Sequence, residues 1–317
     1  MNPTPSSASF AFLFPGQGTQ FVGMGKDLAD AFPSVRALFQ QADEALGFPL
    51  SRVMLEGPQA DLTRTDNAQP AILVASLACL VALEEVVGKG NLPKPAFAAG
   101  HSLGEYTALV AAGSLSVEDA VRLVRLRGRL MQEASERTPG SMVVVLGLDE
   151  LTVEEICRQT GAQISSVNTD EQIVIGGERR AVARAADLCA LRGARRLVPL
   201  QVAGAFHTDL MASAREGMAQ ALEQVPLHDP QVPIVANASA QPLTTAQQVR
   251  QELLEQLCAP VRWKHAMHFL LAQGIQTFVE LGPGRVLSGM LRQMAREVRL
   301  LPIADAKSLA GVTAPWW

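Results

Sequence analysis

The run Gly100-His101-Ser102-Leu103-Gly104, set between the apolar stretch 96–99 and a helical pattern from Glu105 to Ala112, constrains this chain more than any other feature. Glycines on both sides of a serine at such a junction relieve crowding in a tight strand-to-helix turn and leave the hydroxyl projecting over a helix N-terminus. The neighbourhood is thereby committed to strand, turn and helix in order, the unit of an α/β fold. Ser102 becomes a candidate nucleophile, with a serine that only caps the following helix as the alternative.

The wider pattern extends that reading. Phe10–Phe14 is an apolar run ended by Pro15-Gly16-Gln17-Gly18, as where a buried strand enters a loop. Helical periodicity covers Ala29–Leu46, then a helix that Pro70 opens and Gly88 and Gly90 close. Ser116, three residues before Asp119, announces a helix running to about Ala134. From there to Gly204 the order becomes β-α-β-β-α-β, with strands at Met142–Leu146, Ile164–Asn168, Gln172–Ile175 and Arg196–Val202, which suggests a small ferredoxin-like insert. Strands at Ile234–Asn237 and Thr277–Leu281 then resume the alternation. The expectation is a large α/β-hydrolase-like domain with a mostly parallel sheet, residues 1–135 and 205–317, interrupted by a ferredoxin-like subdomain at 136–204.

Composition removes several function classes. A net charge of −4 gives no drive toward nucleic acid. The longest apolar run, Ala71–Leu83, falls short of the roughly 18 residues that suggest a membrane span, and reads as a buried helix. Met1–Ser9 carries no Lys or Arg ahead of the first apolar run, so a secretory signal is unsupported and a cytoplasmic location is expected. Cys79, Cys157, Cys189 and Cys258 are too scattered for a zinc site or a disulfide framework.

A serine nucleophile needs a base, and there are five histidines. His101 adjoins Ser102, where chain geometry hinders a productive hydrogen bond, and reads as structural. His228 lies in the polar turn Pro226-Leu227-His228-Asp229-Pro230. His265 and His268 share a helix face with no third metal ligand in view, which favours an ordinary surface helix. His207 lies in a loop after a predicted strand end, where catalytic groups of α/β sheets gather.

The helix from Glu118 carries one arginine on the wrong face. At roughly 100° per residue, Arg122, Arg125 and Arg129 fall within a sector of about 60°, as a solvent stripe should. Arg127 lies roughly 170° from that stripe, among Leu123, Val124, Leu130 and Met131. An arginine there stays charged and requires an anionic partner, either a protein carboxylate or a substrate carboxylate gripped by its planar fork.

These residues resemble those of the malonyl-CoA:acyl carrier protein transacylase family, shared by fatty-acid synthesis and polyketide acyltransferase domains. The motifs F-P-G-Q-G-T-Q at 14–20, G-H-S-L-G-E-Y at 100–106, G-A-F-H at 204–207 and L-G-P-G at 281–284 carry the match, with Gln69-Pro70-Ala71 and Arg127-Gly128 in support. The resemblance implies malonyl transfer from coenzyme A to the pantetheine thiol of acyl carrier protein through a malonyl-Ser102 ester, with no cofactor beyond the thioester substrate. It implies His207 as base, the backbone amides of Gln17 and Leu103 as oxyanion hole, and Arg127 as holder of the malonyl carboxylate. It also implies a backbone carbonyl, at Gln256, orienting the histidine, and roles in substrate binding for Gln69, Asn168 and Phe206, the last favouring malonyl over methylmalonyl. The family's usual N-x-N-S-P-x-Q is shortened here to Asn168-Thr169-Asp170-Glu171-Gln172. Alternative readings are a stand-alone polyketide acyltransferase, or a serine thioesterase or hydrolase, because G-x-S-x-G alone does not separate water from thiol as acceptor. Arg179, Arg180, Arg184, Arg192, Arg195 and Arg196 form a basic stretch suited either to a solvated helix face or to an acidic carrier protein or coenzyme A phosphates.

Overall fold

The computed structural model describes residues 10–88 and 90–312; the Met1–Ser9 stretch weighed above for a secretory signal lies outside them. Two sheets organise the chain. The larger orders its strands Arg299–Ile303, Thr277–Leu281, Phe10–Phe14, Phe97–Gly100, Ile234–Val235 and Pro242–Leu243. The first five are mutually parallel and the last is antiparallel. Phe10–Phe14 and Thr277–Leu281 are buried along their whole length, as central parallel strands covered on both faces must be.

The second sheet contains Gln163–Thr169, Gln172–Glu178, Gly140–Leu146 and Arg196–Pro199 in that order, all antiparallel neighbours. Helices Glu150–Thr160 and Arg179–Leu191 complete the βαββαβ order, the ferredoxin-like arrangement. A two-residue turn at Asp170-Glu171 joins the first two strands, with Thr169 paired to Gln172. Val167 N–H donates to the Val261 carbonyl and Val261 N–H to the Ser165 carbonyl, which ties this sheet to the larger body.

Several boundaries depart from the sequence reading. The periodic stretch 29–46 is two helices, Lys26–Ala31 and Pro33–Leu46, because Phe32 is extended before a proline that starts the second helix. The long apolar helix runs Thr65–Val87 and contains Pro70 rather than opening on it. Burial of Thr65, Ala68 and Gln69 extends the helix by more than a turn, overriding the local cost of a proline without an N–H. By length and composition this helix could cross a membrane, yet its apolar window is 72% buried inside the protein. The strand expected to reach Val202 ends at Pro199, leaving 200–208 as a loop. Arg299–Ile303 and Pro242–Leu243 are strands that periodicity did not reveal.

Close packing makes the elbow. A Cβ at Gly100 would sit 1.9 Å from the Gly104 carbonyl carbon, and one at Gly104 2.0 Å from the Phe14 carbonyl oxygen. The elbow helix, Leu103–Ala111, therefore presses on the central strand with no room for a side chain. Gly128 does the same between helices: a Cβ there would meet the Thr65 carbonyl oxygen at 2.5 Å, so Val117–Arg137 lies hard against Thr65–Val87. Gly104→Ala is expected to destabilise the fold by about 1–3 kcal/mol through overpacking, measured by urea denaturation. A variant as stable as wild type would show that strand and elbow can part without cost.

Candidate active site

Ser102 sits at the sharp turn with φ 52° and ψ −104°. A non-glycine residue in that region stores on the order of 1–3 kcal/mol of strain, held in place by the packing just described. Its N–H donates to Asn237 Oδ1 at 2.7 Å, and Asn237 Nδ2 donates to the Gly100 carbonyl at 2.8 Å, so one buried asparagine clamps both sides of the turn. Leu103 N–H, at the first helical position, has no intrahelical acceptor.

The other half of the pair comes from the loop after the small sheet. His207 Nε2 lies 2.7 Å from Ser102 Oγ, and its Nδ1 donates to the Gln256 carbonyl at 2.6 Å. The carbonyl fixes the tautomer that leaves Nε2 as acceptor. His207 also has positive φ, 58°, and is buried. Burial first, and the neighbouring Arg127 cation second, push its pKa down from 6.5 to about 3, so the ring is a neutral base at physiological pH.

Arg127 is 1% exposed and points to the elbow. Its Nη2 donates to Gln256 Oε1 at 2.7 Å and to Ser102 Oγ at 3.1 Å, and its Nη1 donates to Gln69 Oε1 at 2.9 Å. Its guanidinium carbon stands 5.4 Å from the Tyr106 ring centroid. Of the two partners weighed for it, a protein carboxylate is not found: among the described residues no ion pair involves Arg127, and its Nε has no partner. Neutral oxygens spread the charge without cancelling it. The guanidinium keeps its affinity for an anion beside the Ser102 hydroxyl.

A cavity of about 780 Å³ opens between the two sheets, and Gln17, Ser102, Leu103, Arg127, Phe206 and His207 all line it. Asn168 lines it as well, its Oδ1 accepting from His101 Nε2 at 2.9 Å, and His101 packs against Trp263 with ring centroids 5.6 Å apart. The shortened loop thus still places Asn168 on the cavity wall, as the end of a tight hairpin. Gln69 is placed differently from the other expected site residues. It is fully buried behind the arginine, its amide spent on Arg127 and on Met131 Sδ at 3.4 Å, so it reaches a ligand only through Arg127. Of the remaining histidines, His228 is exposed and His265 Nε2 meets Glu150 at 3.3 Å.

Residues 11–313 match the family model described as acyl transferase domain. The chain belongs to the acyl transferase family. It is 41% identical over 307 residues to the malonyl CoA-acyl carrier protein transacylase of Bacillus subtilis strain 168, covering 95% of each chain. To the protein of that name from Escherichia coli strain K12 it is 38% identical over 305 residues, 95% of this chain and 97% of the relative. Among solved structures, the acyl-carrier-protein-S-malonyltransferase of Bartonella henselae aligns with a TM-score of 0.91 at 40% identity, over 96% of this chain and 98% of the other. A malonyl-transacylase in complex with its type II PKS acyl-carrier protein aligns with a TM-score of 0.90 at 40% identity, with the same coverage.

Sequence reasoning missed two buried residues of this acyltransferase. Asn237, the clamp on the elbow, was read only as the end of a strand. Glu105 appeared in the motif but was read only as a helix residue. It is fully buried, with Oε1 accepting from Asn237 N–H at 3.1 Å and Oε2 accepting from the Gln256 side-chain amide. Burial, and then the nearby Glu252, push its carboxyl well above the usual range, while the hydrogen bonds from Gln256 and Asn237 oppose that rise. The available signal was position: a glutamate two residues after the elbow leucine belongs to a helix whose first seven residues are all buried.

His207 accepts a proton only while neutral, and a depressed pKa keeps it neutral to lower pH. The acid limb of kcat/KM for acyl transfer is therefore expected well below the ordinary histidine value of 6.5. Arg127→Ala, by removing a neighbouring cation, should move that limb upward. An acid limb at or above 6.5 in the unaltered enzyme would contradict a neutral, buried imidazole.

Proposed function

We propose that this acyltransferase, working in the cytoplasm, moves a malonyl group from coenzyme A to the pantetheine thiol of acyl carrier protein for fatty-acid synthesis, through a malonyl-Ser102 ester. The carrying observation is the uncompensated Arg127 guanidinium, 3.1 Å from the Ser102 hydroxyl. A thioester whose acyl group ends in a free carboxylate supplies the missing anion, and its carbonyl then lies beside the nucleophile.

Ser102 Oγ attacks the thioester carbonyl while His207 Nε2 takes its proton. The tetrahedral oxyanion is met by the backbone N–H groups of Gln17 and Leu103. Collapse breaks the carbon–sulfur bond, and the coenzyme A sulfur leaves with the proton from His207. The carrier thiol then gives its proton to His207 and attacks the ester; the carbon–oxygen bond breaks and Ser102 Oγ leaves with the proton from His207, restoring both groups. Nothing beyond the thioester and the carrier thiol is consumed, so the route needs no cofactor. The relatives named for malonyl transfer support the acyl donor and the carrier. The four free cysteines and the packing of Thr65–Val87 as a core helix support the location. Phe206 lines the cavity wall just before His207, and in this reading its ring fills space that an α-methyl on the acyl group would need.

The basic stretch offers the carrier a surface, though part of its charge is already met. Arg192 pairs with Glu155 and Arg195 with Glu171, while Arg196 has no ion-pair partner among the described residues. Arg195→Glu with Arg196→Glu should slow turnover with carrier protein, most at low salt, because complementary charge chiefly speeds encounter. Unchanged kinetics would remove this patch from carrier docking.

Radiolabelled malonyl-CoA should label the wild type covalently but not Ser102→Ala, and equal labelling of both would reject the ester. Arg127→Ala should lower malonyl transfer by at least about tenfold relative to acetyl transfer, the loss of a charged hydrogen bond. An unaltered malonyl-to-acetyl preference would assign the arginine a purely structural role.

A further inference from the structure

Gln256 does three things at once. Its carbonyl holds His207 Nδ1, its side-chain oxygen holds Arg127 Nη2, and its side-chain NH2 donates to Glu105. The orientation of that amide follows from chemistry. A guanidinium only donates, so the amide oxygen must face Arg127, and the NH2 is left for a neighbour that accepts. Glu105 Oε2 is that acceptor, while its Oε1 holds the N–H of Asn237, whose own Oδ1 receives the N–H of Ser102.

We propose that Glu105 is a positioning residue for acyl-donor selection: through the Gln256 amide it fixes the Arg127 guanidinium, and through Asn237 it ties that guanidinium to the Ser102 elbow. The inference rests on the reading of Arg127 as the grip for the donor's carboxylate. It adds that the protein keeps its own carboxylate one amide away from the arginine. A direct ion pair would hold the guanidinium equally well but would occupy the place of the substrate. The relay instead orders Nη2 while leaving the charge available. Three elements are drawn together by the one side chain: the elbow helix that bears it, the turn after Ile234–Val235 that bears Asn237, and the segment after helix Ala246–Glu255 that bears Gln256.

Glu105→Gln separates the two arms. The new amide oxygen can still accept from Asn237 N–H, whereas its NH2 faces the Gln256 NH2. Gln256 must then either turn its NH2 toward Arg127, which costs the arginine an acceptor, or keep its oxygen there without the contact that fixes it. Gln256→Met cuts the same relay at its other end and keeps the backbone carbonyl for His207. The measurement is the ratio of kcat/KM for malonyl-CoA to that for acetyl-CoA, with carrier protein as acceptor, in purified variants whose folding is checked by thermal melting. Each single change is expected to lower the ratio at least about tenfold, the loss of one charged hydrogen bond. The double variant is expected to fall no further than the lower single variant, because both cut one chain.

Independent losses that multiply in the double variant, or a ratio held at the wild-type value by both singles, would overturn the proposal. If Glu105→Gln does not fold, the Gln256→Met ratio decides alone. Arg127→Ala measured alongside separates this inference from the one beneath it. A ratio unchanged by Arg127→Ala removes the carboxylate grip itself. A ratio that collapses with Arg127→Ala yet survives both relay variants removes only the role of Glu105.

Discussion

A guanidinium buried to 1% exposure with no carboxylate against it is the constraint on which the rest of this structure depends. Burying an uncompensated cation is costly, and in most proteins an ion pair meets that cost. Here two amide oxygens and the face of Tyr106 hold the group instead. Those amides come from positions 58 and 129 residues away in the chain, so the arrangement exists only in the finished fold. Gly128 is part of it, because only a residue without a side chain lets helix Val117–Arg137 approach Thr65 closely enough for its neighbour to reach Gln69.

The same cation shapes the base. A catalytic histidine oriented by a carboxylate gains proton affinity from that negative charge. His207 is oriented by a neutral carbonyl and stands beside Arg127, so every nearby influence except its hydrogen bonds to backbone lowers its pKa. The proposed reaction turns this to use: the ring stays unprotonated before attack, and a bound donor carboxylate would offset the cation while the proton is held. Ser102 and His207 both have positive φ, and the turn at Ser102 is held by the close approach of Gly104 to the Phe14 carbonyl.

How much of this was legible depended on range. Phe10–Phe14, Thr277–Leu281 and the βαββαβ insert were readable because a buried strand writes its apolar run locally. Arg299–Ile303 was not, since R-L-L-P-I mixes an arginine and a proline into an edge strand only partly buried. The start of the long helix was hidden because Thr65-Asp66-Asn67-Ala68-Gln69 is polar in sequence, and burial of one side of it is decided by the arginine helix. Helical geometry exposed Arg127 as lying opposite the solvent stripe, on the apolar face. It could not say that the partners were neutral, because amides at 69 and 256 leave no periodic trace. Glu105 escaped for the opposite reason: a glutamate early in a helix is the ordinary dipole-compensating choice at an exposed end, and only the apolar residues around it in Leu103–Ala111 mark this one as buried.

Placing Ser102 on one body and the approach to His207 on the other creates a demand that the small sheet answers. His207 lies in the loop that leaves strand Arg196–Pro199, and the carbonyl just before it, that of Phe206, accepts from Ser165 Oγ at 2.8 Å. Ser165 belongs to strand Gln163–Thr169, in which Val167 N–H donates to the carbonyl of Val261, five residues beyond Gln256 in the larger body, and the Ser165 carbonyl accepts from Val261 N–H. The base is therefore held from both sides, by Gln256 on one ring nitrogen and by the small sheet through the preceding peptide. A rotation of the small sheet that kept these bonds would carry Val261 with it. The 2.7 Å contact between Ser102 and His207 is thus set by the junction of the two bodies as well as by the elbow, which explains why the cavity walls can come from both sheets without loosening the chemistry between them.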